Sequence, residues 1–346
     1  MADAGAAGPL VVVLGASGFI GSAVAAELAR RPVRLRLVGR RPAGPPPGGT
    51  ARGEVAAADL TAPGGVARAV AGADVVIHLV ARIEGGVAWR AAEDDPTAAR
   101  VNVGVMRDLL DALRAGPRLP GAPPPVVVFA GTASQAGRSG RIVGGERDRP
   151  VTAYARQKLA AERALEEASA RGTVRGVSLR LPTVYGAGPG PFGSGVVAAM
   201  VERALAGRPL TVWRGVAGER DLLHIDDAAR AFAAAVDHVD EVSGRHWLVG
   251  TGRPVAVADL FGAVARAVAV TTGRPPVPVL EVDPPASATA ADALGMSVDS
   301  SAFRSATGWR PRVPLGRALE ELVAAVLERR GRGARPGSQT VWTPGT

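Results

Sequence analysis

The sequence has no cysteine and a single lysine. The first absence excludes disulfide bonds and thiol chemistry. The second is more informative. Of the 41 basic residues only Lys158 is a lysine, which leaves 40 arginines. Tyrosine is almost as scarce: Tyr154 and Tyr185 are the two in the chain, and aromatic residues make up 4% of it. A core must therefore be built from Ala, Val and Leu. Long uninterrupted apolar runs are also missing, so no membrane span is expected. No basic run is interleaved with aromatics, and no zinc-ligand spacing occurs, so neither a nucleic-acid partner nor a metal site is expected. Internal repeats are absent. The start, Met1-Ala2-Asp3, has no basic n-region, so no signal peptide is expected and a soluble, cytoplasmic protein is the expectation.

What is present points to a large globular protein. A chain of 346 residues with 47% hydrophobic content can bury a sizeable core in one large domain or two smaller ones. The net charge of +9 is carried by arginine and suits a cationic cleft for an anionic small molecule.

The scarce residues meet in Tyr154-Ala155-Arg156-Gln157-Lys158. A spacing of four puts Tyr154 and Lys158 on one face of a helix, one turn apart. An ammonium beside a phenol favours the phenolate and lowers the phenol's pKa from about 10, which would let it exchange a proton near neutral pH. A chain that uses arginine for every other basic role keeps a compact point charge here, and the two are not interchangeable at such a site.

Upstream, Leu10-Val11-Val12-Val13-Leu14 reads as a strand buried on both faces. It runs straight into Gly15-Ala16-Ser17-Gly18-Phe19-Ile20-Gly21, and Ser22 to Arg30 reads as a helix. Strand, glycine turn and helix together form the context of a dinucleotide site. Gly15 allows the tight turn, Gly18 lets the backbone approach a pyrophosphate, and Gly21 allows close helix–strand packing. The second strand, Val33 to Val38, ends in Gly39-Arg40-Arg41 with no acid. An acid there would bind a ribose diol, whereas arginine accommodates a 2′-phosphate, so NADP(H) is expected in preference to NAD(H). Further strands are expected over Ala73–Ala81, Val126–Ala130, Val174–Leu181 and His246–Gly250. Helices are expected from Asn102, over Thr152–Arg171, Val196–Ala206, Asp227–Val236 and Val257–Val270, and up to Arg330. His78, mid-strand in an apolar run, reads as structural.

The G-x-x-G-x-x-G spacing together with Y-x-x-x-K resembles the extended short-chain dehydrogenase/reductase family, also called the NAD-dependent epimerase/dehydratase family. The resemblance implies an α/β fold, a Rossmann-type doubly wound parallel sheet with a smaller C-terminal substrate-binding α/β domain. Residues 1–182 and 221–245 would form the dinucleotide domain, 183–220 and 246–330 an interleaved sugar-nucleotide domain, and 331–346 a disordered tail. The resemblance assigns the cofactor to Gly15, Ser17, Gly18, Phe19, Ile20, Gly21, Arg40, Arg41, Asp59, Leu60, Leu79, Ala81, Tyr154, Lys158 and Pro182. Asp59-Leu60 would contact adenine, and the strand ending near Ala81 would pass the nicotinamide ribose.

Catalysis falls to Thr132, Tyr154, Lys158 and Asn102. Thr132 would hydrogen-bond the substrate carbonyl or hydroxyl, with Ser134 the fallback if the register is off by two. Asn102 would position the active-site backbone and a water, unless it merely starts a helix. Arg180, Thr183 and Tyr185 resemble the family's R-x-x-N-x-Y-G turn, with Thr183 in place of the usual Asn. Glu219 to Asp227 resembles its R-D-F-I-H-V-D-D segment, in which Arg220 would pair with a sugar nucleotide's diphosphate; a surface salt bridge is the alternative. Substrate contacts are thus Thr132, Ser134, Thr183 and Arg220. The helix after Asn102 and the Tyr154 helix form a dimer bundle in many relatives, so a homodimer is expected.

Three reactions compete. A dehydratase needs an acid and a base beside the Ser/Thr, and Thr132-Ala133-Ser134 supplies neither. A 4-epimerase retains NAD, against which Arg40-Arg41 speaks. A ketoreductase using NADPH fits best, and several stretches look like the nucleotide-diphosphate 4-keto-6-deoxyhexose 4-ketoreductases of deoxysugar pathways. A non-catalytic dinucleotide-binding sensor is a minor reading, since Thr132, Tyr154 and Lys158 are all retained.

Overall fold

A computed structural model describes residues 8–42, 49–82, 95–118, 120–189, 195–215, 218–286, 288 and 294–333. Most of the tail expected over 331–346 lies outside these residues.

The strands, in chain order, are β1 Leu10–Leu14, β2 Arg34–Gly39, β3 Arg52–Ala57, β4 Val75–His78, β5 Val126–Thr132, β6 Gly140–Ile142, β7 Arg175–Leu181, β8 Thr183–Tyr185, β9 Leu210–Trp213, β10 Glu219–Arg220, β11 Leu222–His224, β12 Arg245–Leu248, β13 Val255–Ala256, β14 Val279–Val282 and β15 Met296–Val298. The helices are α1 Phe19–Leu28, α2 Gly65–Val70, α3 Pro96–Ala99, α4 Val105–Ala115, α5 Ala153–Ala170, α6 Val196–Leu205, α7 Ile225–Asp237, α8 Val239–Val242, α9 Val257–Thr272, α10 Ser301–Thr307 and α11 Leu315–Gly333.

Seven strands form one parallel sheet in the order β12-β7-β5-β4-β1-β2-β3. β1 pairs with both β2 and β4, so the chain reverses its direction of winding there. In open parallel sheets that reversal opens the ligand crevice at the strands' carboxyl ends. The sheet is held by apolar contact on both faces. Along β1, Val11 and Val13 join one core with Val24 of α1 and Phe232 of α7. Leu10, Val12 and Leu14 join another with Met106 and Leu109 of α4 and Leu165 of α5. The period of two explains why the whole run must be apolar. Each such side chain contributes roughly 1.5–3 kcal/mol by burial.

A third core lies among α6, α9 and α11, with Tyr185, Phe261 and Leu322 in it. Its strands are short. β13, β10, β15 and β6 form a four-stranded sheet, and β8 with β11 and β9 with β14 form parallel pairs. These elements were not legible in the sequence, being two to four residues long. β3 was missed as well, because it lies at the sheet edge and most of it is exposed.

The expected seam between the two units needs correction in three places. β12, which begins at Arg245, completes the large sheet through β7. Phe303 and Trp309 pack in the large sheet's core. β6, from the N-terminal half, pairs with β15 in the small sheet. The chain therefore crosses between the units more often than the three switches of the expected division, after residues 182, 220 and 245, would require. The outward residues of α4 and α5, Arg107, Asp111, Arg114, Arg156, Arg163 and Glu167, are exposed and charged. The expected dimer face thus offers no apolar seam at these positions.

Candidate active site

The site is built where β1, β2, β4 and β5 end. Gly15 has φ +89, and a Cβ on it would lie 3.1 Å from the Leu79 carbonyl carbon. Only glycine lets β1 turn this close to the end of β4. A Cβ on Gly21 would lie 2.0 Å from the Gly15 oxygen, so α1 can approach the turn only through glycine. Gly15 N and Ala16 N both donate to Val38 O, at 2.8 and 3.0 Å, and Ser17 Oγ lies where a Cβ on Gly39 would fall. The loop is thereby locked against the end of β2. Gly18 caps α1 with extended backbone and no side-chain hydrogen bond, so the N–H groups of the first turn, at Phe19, Ile20 and Gly21, face an incoming anion. This cradle fits a dinucleotide's pyrophosphate.

Arg40 and Arg41 follow β2 directly and are exposed. Asp59 lies just past β3, within the field of Arg40. Its carboxyl is held below the usual range chiefly by hydrogen bonds from Thr61, with Arg40 a smaller contributor. Leu60 is buried in the core, so of the Asp59-Leu60 pair the backbone and Asp59 are what face outward. Leu79 N donates to Leu14 O at 3.0 Å, and Ala81 follows as an exposed residue at the end of the same segment. Pro182 joins β7 to β8. Phe19 and Thr183 line one small hollow with Tyr185, Val197 and Leu322.

Thr132 ends β5 and caps a 3-10 turn over Ala133–Ala136. Its Oγ1 lies 2.9 Å from Ser134 Oγ, so the two hydroxyls expected as alternatives stand together. Thr152 caps α5 by accepting from Ala155 N at 3.1 Å, which sets the helix that carries Tyr154 and Lys158. Lys158 is 2% exposed; its Nζ donates to Ala130 O at 2.9 Å and lies 4.6 Å from the centroid of the Phe129 ring and 5.8 Å from that of Tyr154. Burial drives this ammonium down to about 7. Burial also pushes the Tyr154 phenol up. The expected lowering of the phenol by the ammonium is therefore not what the protein alone produces. Desolvation sets the direction for both groups.

Asn102 does not start a helix. It lies in a π-helical turn, Arg100–Gly104, between α3 and α4. It is 1% exposed, its Oδ1 accepts from Arg82 N at 2.8 Å, and its Nδ2 donates to Arg82 O at 3.1 Å and to Gln157 Oε1 at 2.7 Å. Both amide hydrogens are used to clamp backbone and helix, so neither is left to donate to a water. His78 is fully buried edge-on against Phe129, at 5.5 Å and 84°, and neither ring nitrogen has a hydrogen bond. Burial, reinforced by Lys158, pushes it down to about 3, so it is a neutral core residue.

Arg220 lies on β10 of the small sheet, where Nη1 donates to Leu294 O at 2.6 Å and to Glu219 O at 3.2 Å. Its neighbour Asp221 is buried and accepts from Thr251 N, Gly252 N and Val298 N, each at 2.9 Å, which fixes the small sheet beside it. β6, three residues beyond Gly137, belongs to that same sheet, so the Thr132 loop and Arg220 are carried by one scaffold.

Sequence reasoning missed a buried ionic cluster beneath these groups. Glu162, one helical turn beyond Lys158, is 1% exposed and bonded to Arg180, Ser178 and Gln135. The i, i+4 step from Lys158 along an otherwise apolar face was the available signal. Arg180 also makes a two-point contact with Asp148, at 2.7 and 2.8 Å. Glu162, Glu166 and His246 come close enough to suggest a metal site, but the Arg180 guanidinium already compensates Glu162.

Comparison with known proteins agrees with this geometry. The sequence pattern of the NAD dependent epimerase/dehydratase family matches residues 11–250. The chain belongs to that family. It is 31% identical over 330 residues to a dTDP-6-deoxy-L-talose 4-dehydrogenase (NAD(P)(+)) of Kitasatospora kifunensis, covering 91% of this chain and 95% of that protein. It is 29% identical to a UDP-glucose 4-epimerase of Mycolicibacterium smegmatis, over 72% of this chain and 75% of the relative. Among solved structures, MoeE5 in complex with UDP-glucose and NAD superposes with a TM-score of 0.75 at 26% identity, covering 93% of this chain and all of that one. As a family member the protein is an NAD(P)-dependent enzyme of nucleotide-sugar chemistry with a Rossmann-type fold, and no helix among its described residues is long and apolar enough to cross a membrane.

Proposed function

We propose that this family member reduces the 4-keto group of a nucleotide-diphosphate 4-keto-6-deoxyhexose, with dTDP the favoured nucleotide and NADPH the reductant, in the making of deoxysugars for natural-product glycosylation. The carrying observation is the Thr132-Ala133-Ser134 turn. It presents two hydroxyls 2.9 Å apart with a buried Ala133 between them. An elimination would need an acid and a base there. A carbonyl reduction needs hydrogen-bond donors at one oxygen and a single proton source, which Tyr154 supplies. The relative from Kitasatospora kifunensis, named for a 4-dehydrogenation of a dTDP-6-deoxy sugar, supports both the carbon and the substrate class.

When bound, the nicotinamide supplies a hydride to the carbonyl carbon. Thr132 hydrogen-bonds the carbonyl oxygen and fixes its position. Tyr154 gives its phenolic proton to that oxygen as charge develops, so the carbonyl becomes an alcohol and the phenolate regains a proton from water. Lys158 would hold the ribose hydroxyls and keep the phenol's pKa within reach. Stabilisation of charge at one oxygen by groups already in place carries the rate. Gly15, Ser17 and Gly18 to Gly21 hold the pyrophosphate, Arg40 with Arg41 the 2′-phosphate, and Arg220 the diphosphate of the sugar nucleotide.

The test is steady-state NADPH oxidation with a panel of 4-keto and 3-keto sugar nucleotides. Tyr154→Phe should cut kcat by about 10²–10⁴-fold while NADPH still binds. Near-wild-type kcat in that variant would end the proposal. The second reading, an NAD-retaining 4-epimerase, is favoured by the Mycolicibacterium relative and by the NAD in MoeE5. It predicts turnover of a nucleotide sugar with no net consumption of added cofactor.

A further inference from the structure

We propose that Gln135 is a positioning residue, and that its buried hydrogen-bond chain to Glu162 sets the Thr132 hydroxyl against the substrate oxygen. The inference rests on the role of Thr132 in the reaction proposed above.

Gln135 is fully buried, and both ends of its amide are engaged. Its Oε1 accepts from Thr132 N at 2.8 Å, which by itself is the ordinary return bond of a capping box. The other end is less ordinary. Gln135 Nε2 donates to Glu162 Oε1 at 3.0 Å, across to the helix that carries Tyr154 and Lys158. Glu162 cannot yield, because Ser178 Oγ and Arg180 Nη2 each bond it at 2.5 Å, and Arg180 is anchored in turn on Asp148. Gly131 leaves room for this arrangement: a Cβ there would lie 3.1 Å from Gln135 Oε1 and 2.9 Å from Ser178 Oγ. The chain Thr132–Gln135–Glu162 thus joins the end of β5 to α5 through buried hydrogen bonds. It fixes the distance between the hydroxyl that receives the substrate oxygen and the phenol that protonates it. A capping residue pointing into solvent would hold the turn equally well but would leave it free to move relative to α5.

Two variants and one direct measurement test this. Gln135→Met keeps the length and removes both bonds. It should lower kcat by about 10- to 100-fold, the cost of misplacing a reacting group by a fraction of an ångström to one ångström. The KM for the sugar nucleotide and the Kd for NADPH should stay within about threefold. Gln135→Glu sets carboxylate against carboxylate and should be worse. Amide hydrogen exchange at Thr132, followed by NMR, needs no turnover. The Thr132 N–H should be strongly protected in the wild type and lose that protection in Gln135→Met, while β4 and β7 keep theirs. Wild-type kcat in Gln135→Met, or a Thr132 amide that exchanges rapidly in the wild type, would each overturn the proposal. If no keto sugar is turned over by the wild type, the reaction assignment fails, and the Thr132 exchange result still decides whether the chain exists.

Discussion

Asn102 and Gln157 are joined by a 2.7 Å hydrogen bond that ties the π-helical turn before α4 to α5. Because Asn102 also holds both the N–H and the carbonyl of Arg82, one side chain couples the segment after β4 to the residue next to Lys158. Asn102→Ala leaves buried partners without hydrogen bonds, which costs about 1–3 kcal/mol for each unsatisfied group. Urea unfolding should show that loss. NADPH binding, titrated by fluorescence, should weaken more than sugar-nucleotide binding on the proposal that the tied segment passes the nicotinamide ribose. Equal weakening of both ligands would mean that Asn102 serves stability alone.

Lys158 makes the protein's stability depend on pH in a way that can be signed. Its folded pKa of about 7 lies below its ordinary value of 10.5. Between those values the unfolded chain binds the extra proton, so stability of the protein without cofactor should rise with pH from about 7 towards 10.5. Below 7 the full desolvation cost remains. Lys158→Met should abolish that slope and raise the melting temperature at pH 6, while eliminating turnover. Thermal scans at pH 6 and pH 9 check it, and a variant with the wild-type slope would place the titration elsewhere.

His246 should contribute in the opposite sense. Glu166, 3.5 Å from its Nδ1, raises its pKa above the ordinary 6.5, against a smaller lowering by burial. A raised folded pKa gives stability that is complete below the unfolded value and is lost as pH rises through the folded one. Glu162 adds to the attraction and Arg180 opposes it. His246→Gln should therefore lower the melting temperature more at pH 5.5 than at pH 8.5.

Arg40 should decide between the two nicotinamide cofactors. It stands exposed directly after β2, with no acid among Gly39, Arg40 and Arg41. Calorimetry should find NADPH bound more tightly than NADH, and Arg40→Asp should reverse the order by placing a ribose-binding carboxylate there. Equal binding of both by the wild type would remove the arginine from the argument.

Arg220→Ala should raise the KM for a sugar nucleotide far more than it weakens NADPH. A charge-assisted hydrogen bond of this kind contributes roughly 1.5–3 kcal/mol. Because Arg220 also holds Leu294 O, Arg220→Lys is the informative companion: a point charge can meet the diphosphate but cannot reproduce the fork. Unchanged KM in both variants would put the diphosphate elsewhere.

The local chemistry of this protein is written in its sequence. An apolar run buried on both faces, three glycines at fixed intervals and a tyrosine four residues before the only lysine require particular backbone shapes and one helix face. The β1 strand, its glycine turn and α5 follow from those constraints, because each depends on neighbours close in the chain. What depends on distant neighbours was settled by the tertiary structure. The small sheet forms because β6, β10, β13 and β15, each too short to signal itself, are brought together across 157 residues, from Gly140 to Met296 and beyond. The ionic state of the Tyr154–Lys158 pair also belongs there. Spacing predicted an ammonium that lowers a phenol, but the packing of Phe129 and Ala130 against Lys158 buries the charge and reverses the balance. Gln135, Gln157 and Glu162 look like ordinary helix and turn residues until folding places hydrogen-bond partners 2.7 to 3.0 Å away, on segments 27 and 55 residues distant. Periodicity along a chain reports which face a side chain takes, whereas the partner it meets there is fixed only when the layers close.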